Sequence, residues 1–497
     1  YFDDIGVAKT TSDLAYLSLQ LFVLESGSVP DTGAPWQLEV ARLAAPLVSA
    51  AAVVTAIAVV FREQWAEVRL RRQRDHVVVC GLGAHGSRLV RGLLDEGYRV
   101  VAIGRDPAEP AVSELARKGA AVMTGDARDA SILRRARLDR ASHLVCLTGS
   151  DDTNAEIALR ANDVVGDRQG PVLVCLAHIR DPDLCALLRV DELASPHKGH
   201  LRLDFFNIDE QGARAMIKEH PPWGRSGPHG DPPRVTVVGL NRLGQSLLAA
   251  LGRQWRADTD TSGRPLTVTV VDPDAVRILD RLRRRFPLLD HAADIATSEH
   301  DIDPLDAEAV IPGDSDAVYI CADSDSIALH AALRTRQVLS APDAIVVAEL
   351  LHDRGLSEVI ARSDGGARVH GFDLLDRTLS ADLLLGGTYE VLARAIHETY
   401  LREQRTQGAT TTTNPSLVPW EELPTSLRES NRDQAAHIGT KLAAIGRGLA
   451  PLTDWDAGGI TFTDDEVERL AEMEHGRWVE QRRRDGWTSG PKDIDAK

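Results

Sequence analysis

Two stretches of this chain, HVVVCGLGAHGSRLVRGLL from His76 and RVTVVGLNRLGQSLLAAL from Arg234, share one plan: a short apolar strand, a glycine-marked turn, and a helix with one apolar side. Their leading glycines, Gly81 and Gly239, stand 158 residues apart. A strand apolar on every residue is buried on both faces, and the helix after it must pack back onto the same sheet. Each copy therefore predicts a parallel, doubly wound α/β domain. Further strands come later in each: AAVMTGDA, HLVCLTGSDD and PVLVCLA in the first, PLTVTVVDPD, DAVYICADSD and DAIVVAELL in the second. The copies also end alike, in LDFFNIDEQGARAMI around Phe206 and VHGFDLLDRTLSADLL around Phe372. A run rich in Pro and Gly between them sets the boundaries at 75–220 for the first domain, 221–233 for the linker and 234–385 for the second domain.

The turn carries the chemistry. Gly81, Gly83 and Gly86 permit a tight bend and close approach of a phosphate, while the helix start offers free N–H groups and the positive end of its dipole. In a dinucleotide site the second strand ends in an acid that holds the ribose hydroxyls, but here it ends in Gly104, Arg105 and Asp106. Arg105 can meet a phosphate or simply be a solvated loop residue. Asp126, in TGDAR, and Thr148, opening TGSDDTN, fall at strand ends where such sheets bind ligands, and each equally suits a helix N-cap. The second copy keeps Gly239 and Gly244 and supplies an acid at Asp272, yet Asn241 replaces the middle glycine and would crowd a pyrophosphate. Each copy thus keeps part of a nucleotide site, and a purely structural second copy is the simpler expectation.

The 497 residues give room for three or more domains, and 43% hydrophobic with 26% charged residues suits packed domains in water. A formal charge of -17 argues against a general nucleic-acid surface. The five cysteines include no C-x-x-C pair and read as buried thiols of a reducing compartment. No nucleophile–base pair or metal-spaced cluster stands out, so neither catalysis nor a metal is expected. From Leu43 to Phe61 nineteen residues lack any charge, near the ~20 that a membrane-crossing helix requires. The bland alternative is a buried Ala-rich helix. The arginine-rich exit after Phe61 places the C-terminal side of the span in the cytoplasm by the positive-inside rule. We therefore expect a pore-helix-like or extracytoplasmic segment at 1–35, a transmembrane helix at 36–62, and residence in the plasma or inner membrane with a large cytoplasmic part.

A second repeat lies near the end, where LARAIHETYLREQRTQG and LAEMEHGRWVEQRRRDG align at an offset of 78 residues. His397 and Tyr400 share a helix face, and so do His475 and Trp478. Such a face can receive a planar ligand, although a core histidine bonded to a backbone carbonyl is the plainer reading.

GLGAHG, together with TGDARDASILRRARLDRASHLVCLTGSDDTNAEIA and the preceding span, resembles the RCK (TrkA-N or KTN) regulatory domains of potassium channels and uptake systems. LAxxxHxxW, GWxxG and PWEELPxxxRESNR resemble the ryanodine-receptor (RyR) repeat domain, placed at 386–497, its last repeat reaching Lys497 before a matching Pro–Trp segment. The resemblances imply two tandem Rossmann-like domains after a transmembrane helix, with a mainly α domain behind them. They imply an ion channel or transport protein for potassium or another cation, without enzymatic activity and gated by a ligand. That ligand is a nucleotide of unfixed kind: NAD(H), NADP(H), ATP, ADP or a nucleotide-derived signal. The homo-oligomer expected is a tetramer, with a dimer left open. In the RyR region His397, Tyr400, Trp420, Arg432, His475, Trp478 and Trp487 are the ligand candidates. Two other readings stand beside this one: a membrane-tethered effector that permeabilises the bilayer, and an NAD(P)-dependent oxidoreductase.

Overall fold

The computed structural model describes residues 10–13, 16, 36, 40, 44–55, 73–106, 110–166, 171–195, 200–223, 232–257, 264–301, 307–351, 369–381, 387–411, 414–455 and 459–484. The chain divides into two units, Tyr1–Arg72 and Gln73–Lys497. In the first, residues 44–55 are helical, and Leu47, Val48, Val53 and Val54 are exposed. The rest of the expected span at 36–62 lies, apart from Trp36 and Val40, outside the described residues. Among the described residues no helix is long and apolar enough to cross a membrane.

The second unit holds two six-stranded sheets, parallel throughout. The first comprises β1 (Val77–Cys80), β2 (Val100–Gly104), β3 (Ala121–Thr124), β4 (His143–Cys146), β5 (Leu173–His178) and β6 (Leu201–Phe206), in the order β3-β2-β1-β4-β5-β6. The second comprises β7 (Arg234–Val238), β8 (Leu266–Val271), β9 (Ala293–Ser298), β10 (Ala317–Ile320), β11 (Ile345–Leu350) and β12 (Val369–Asp373), in the order β12-β11-β10-β7-β8-β9. Read from its other edge, this is the same winding. Strand order reverses between β1 and β4 and between β7 and β10, and a crevice opens at that point beyond the carboxyl ends of the strands. The central strands β1 and β10 are buried at every position, as their unbroken apolar sequence requires. All five cysteines are buried and unbonded.

The similar closing sequences hold the copies together. Asn207 and Asp373 each cap the helix after the last strand, accepting the N–H of Glu210 at 2.9 Å and of Asp376 at 2.8 Å. The Ile208–Glu219 helix packs on the Arg242–Ala257 helix of the second copy, and the short Leu374–Thr378 helix packs back on Ile208–Glu219. Gly212 makes this contact close: a Cβ there would stand 2.1 Å from Leu374 Cδ1. Arg88 ties the first copy to the second, donating to Asp376 at 2.8 Å and Asp373 at 2.9 Å. One hydrophobic core runs through both copies.

The C-terminal region is helical, with Thr388–Thr406, Thr425–Ala436, Ile438–Ala444 and Asp464–Arg484. It covers the β6 edge of the first sheet. Buried Arg202 pairs with Asp433 and, at 3.4 Å, with Glu429, while buried Asp204 accepts from the backbone and hydroxyl of Thr388. Covering an edge strand in this way protects its unpaired backbone groups.

Candidate functional site

At the end of β1 the chain turns with Gly81 at φ +99°, a left-handed conformation that glycine adopts without cost. Space is short as well, since a Cβ on Gly81 would lie 2.7 Å from the Leu147 carbonyl oxygen. Gly86, one turn into the Ala84–Asp95 helix, presses against the same bend, and a Cβ there would stand 1.8 Å from the Gly81 carbonyl oxygen. Gly83 differs: its φ is an ordinary -62° and a Cβ would meet nothing within 4 Å. Gly81 and Gly86 are therefore glycines of packing, whereas Gly83 fronts open space.

That space is a cavity of about 570 Å³ at the point where strand order reverses. Gly81, Gly83, Arg105, Asp126 and Thr148, nominated from sequence, all line it, and Gly86 stands behind them. Among the described residues no hydrogen bond reaches the backbone N–H of Leu82, Gly83 or Ala84. Arg105 likewise has no ion pair among the described residues. Asp106, two residues beyond Gly104, also lines the cavity, so an acid does stand near the place where a ribose-binding carboxylate was sought.

Asp126 is held by Arg128, whose Nη2 lies 2.6 Å and Nε 3.0 Å from the carboxylate, and this hydrogen bonding keeps its pKa down to about 2. Thr148 is fixed by Asn154, whose Oδ1 accepts from the Thr148 backbone at 2.8 Å and its hydroxyl at 2.7 Å. Asn154 is fully buried and donates its amide to the His178 carbonyl at 2.9 Å, anchoring the loop to β5. Sequence reasoning passed over Asn154, because an asparagine inside TGSDDTN carries no signal of burial.

The second glycine turn has the same skeleton. Gly239 has φ +88°, and a Cβ on Gly244 would stand 2.2 Å from the Gly239 carbonyl oxygen. Its polar groups are already engaged, however. The Asn241 side-chain Oδ1 accepts the Gly244 N–H at 3.0 Å, the Asp272 carboxylate accepts the Leu240 N–H at 2.7 Å, and the Asn241 side-chain amide donates to Glu349 at 3.0 Å. Glu349 is buried, and desolvation pushes its pKa up to about 8, with nearby Asp209 and Asp323 adding to the effect.

In the C-terminal region His397 is 2% exposed and its Nε2 lies 2.8 Å from the Val418 carbonyl. Trp420 packs beside it, ring centroids 5.9 Å apart, and donates its indole N–H to Glu390 at 3.1 Å. Arg432 grips the same Glu390 at 2.5 and 2.9 Å. The Tyr400 hydroxyl accepts from Asn414 at 2.7 Å. The hydrogen bonds of these four side chains run to Glu390, Glu429, Asn414 and the Val418 carbonyl, all within the C-terminal region. The His475–Trp478 pair keeps the predicted shared face, centroids 6.0 Å apart, but Trp478 is 44% exposed with Arg482 over its ring at 5.3 Å. Trp487 lies outside the described residues.

Compared with known proteins, residues 77–196 match the TrkA-N domain. The voltage-gated potassium channel Kch of Escherichia coli (strain K12) is 31% identical over 98 residues, which is 19% of this chain and 23% of that protein. The matched stretch thus spans less than a quarter of the channel. A solved structure of the GsuK channel bound to NAD aligns at TM-score 0.44 and 14% identity, covering 79% of this chain and 80% of that one. GsuK bound to ADP aligns at 0.43 and 16%, covering 77% and 90%. The TrkA-N match thus falls within the first α/β copy of this chain.

Proposed function

We propose that the first α/β copy binds a nucleotide at the Gly81 turn, and that this binding regulates ion movement across a membrane that the chain enters through residues 36–62. The reading rests on one observation: the Leu82 and Gly83 amides border a cavity also lined by Arg105, without hydrogen bonds of their own among the described residues. Such amides at a helix start are a ready anion site, and Arg105 adds a charge that no carboxylate among the described residues neutralises by contact. The TrkA-N match supports a regulatory role, and the channel relative supports an ion transport setting. The second copy serves as scaffold and lever. The RyR-like region is a further sensor, with the exposed His475–Trp478 face as its ligand surface, and the chain works as a homo-oligomer, a tetramer by preference.

Binding moves a channel only by favouring one conformation, about 5.5 kcal/mol for a full switch. Thermal melts of the chain with ADP, ATP, NAD or NADH give the first test. One of them raises the melting temperature of the native protein, and Gly83→Val removes that rise without lowering the ligand-free melting temperature, because the added side chain enters the cavity and not the core. Failure of all four at millimolar concentration would end the nucleotide reading. Reconstituted into vesicles with its native upstream segment, the protein then shows ion flux that depends on the same ligand.

A further inference from the structure

A groove of about 1070 Å³ lies along the seam between the two α/β copies, lined also by residues 450–453 and Trp455. Its lining holds seven arginines against five acids, in a chain whose overall charge is -17. Most of those acids are already engaged. Asp151 accepts the backbone N–H groups of Arg180 and Asp181 at 3.0 and 3.2 Å, and Asp181 caps the Pro182–Ala194 helix. Asp183 pairs with Arg285 at 2.5 Å and Glu210 with Arg189 at 3.0 Å. Burial pushes the fifth, Asp209, up to about 6 against the opposing pull of nearby Arg242, so near neutral pH it offsets one charge of the groove.

The arginines left over come from the second copy. Among the described residues the side chains of Arg242, Arg253 and Arg281 make no hydrogen bond or ion pair. Arg242 and Arg253 are eleven positions apart on one helix, which brings them to the same face about 16 Å apart along the axis. Gln245, Ser246 and Ala249 between them line the same groove. Arg281 projects into it from the neighbouring Ala275–Arg285 helix. Like charges are not gathered along one wall for stability, since each raises the cost of the others. The apolar end is built from Phe286 and Trp455, ring centroids 5.4 Å apart, with the Arg285 guanidinium 4.8 Å over Phe286. The Trp455 indole N–H is buried and has no partner among the described residues.

We propose that this groove is a second anion site, separate from the glycine turn, that takes a phosphoanhydride chain along Arg242, Arg253 and Arg281. The apolar end favours a chain carried by a nucleoside, whose base packs near Phe286 and Trp455. A ligand there touches both copies, so its occupancy couples their relative placement.

Isothermal titration of the full chain with tripolyphosphate and with ATP tests this. The native protein binds one tripolyphosphate per chain, more weakly as salt rises, and binds ATP more tightly than tripolyphosphate. Arg242→Gln with Arg281→Gln weakens both about a hundredfold, roughly tenfold or ~1.4 kcal/mol per arginine. Arg284→Gln, on the same helix but outside the groove, leaves binding unchanged, and Gly83→Val, which alters only the glycine-turn cavity, leaves the salt-dependent tripolyphosphate step at the groove in place. The melting temperature of the double variant stays at or above the native value, which separates lost binding from lost folding; Arg281→Gln alone gives the tenfold step if the double variant is unstable. The proposal falls if tripolyphosphate does not bind at millimolar concentration, or if the double variant binds as the native protein does. It falls equally if Arg284→Gln weakens binding as much, or if Gly83→Val alone abolishes it, since the anion would then sit on general surface charge or at the glycine turn.

Discussion

The two glycine turns share a backbone and differ in what their polar groups do. Ser87 in the first donates its hydroxyl to the Leu82 carbonyl at 2.6 Å, and Gln245 in the second donates its amide to the Leu240 carbonyl at 2.8 Å, so even the brace behind the loop is kept. In front of the loop they part. Asn241 and Asp272 occupy the Gly244 and Leu240 N–H groups of the second turn, whereas the matching stretch of the first has amides without partners among the described residues. A phosphate approaching the second turn would have to displace an internal hydrogen bond and face the Asp272 carboxylate. The lesson is that a glycine pattern records two separate demands. One is close packing of helix on strand, met in both copies; the other is an open anion cradle, left open in the first alone.

Substituting the packing glycines tests the shared part and carries the largest effect. Gly86→Ala and Gly244→Ala each force a methyl to within 1.8 and 2.2 Å of a backbone carbonyl oxygen, atoms that cannot swing aside. Each is expected to cost about 3 kcal/mol or more, read as a lower midpoint in urea, and with little difference between copies. If one copy tolerates its alanine while the other unfolds, the turns are not the equivalents that their geometry makes them.

The filled turn carries an electrostatic signature that the open one lacks. Glu349 is raised to about 8 in the folded protein against an ordinary glutamate value near 4.5, so the folded state holds its proton longer than the unfolded state. Below pH ~4.5 both states are protonated and nothing is lost. As pH rises from there to about 8 the unfolded chain ionises first, and stability falls, by up to roughly 4 to 5 kcal/mol for a shift of this size. Glu349→Gln keeps an acceptor for Asn241 without a charge to bury. Urea melts between pH 5 and 8 should show the decline flattened in the variant, with the largest gain at pH 8. An unchanged pH slope would mean that Glu349 is ionised throughout and that the second turn is held by a buried charge.

Much of this contrast was readable in the residues. The unbroken apolar run at 77–80 and the valine-rich run at 235–238 marked the strands, and the glycine spacing marked the helix after each. Asn241 announced a crowded second turn because a side chain in place of the middle glycine has nowhere else to go. What the sequence withheld was the use of each polar group: that Asp126 is spent on Arg128, that Thr148 is spent on Asn154, and that His397, Trp420 and Arg432 bond chiefly within their own cluster. Partners such as Glu390 and Arg432 stand 42 positions apart and meet only once the helices have packed. The arginine groove was hidden for the same reason, since its lining is drawn from helices of both copies and from a distant loop.

The smallest effect belongs to the rim of the open turn. Asp126 and Arg128 pair at 2.6 Å, but both are more than a third exposed, so water screens the attraction that the depressed pKa reflects. Asp126→Asn is therefore expected to cost no more than about 1 kcal/mol at pH 7. The sign comes from a folded pKa near 2, below the ordinary aspartate value: the contribution is present above pH ~4 and fades as pH falls toward 2. Melts at pH 7 and pH 2 should bring the variant and the native protein together at the lower value. The informative readout is the ligand. Losing the acid leaves Arg128 with only the longer contact to Glu156 at 3.8 Å and removes the carboxylate that faces Arg105, so the cavity becomes more positive and binds a phosphate more tightly. Weaker nucleotide binding by Asp126→Asn, with folding intact, would instead give Asp126 a direct contact with a hydroxyl of the ligand, and would move the acid of this site from Asp106 to the third strand.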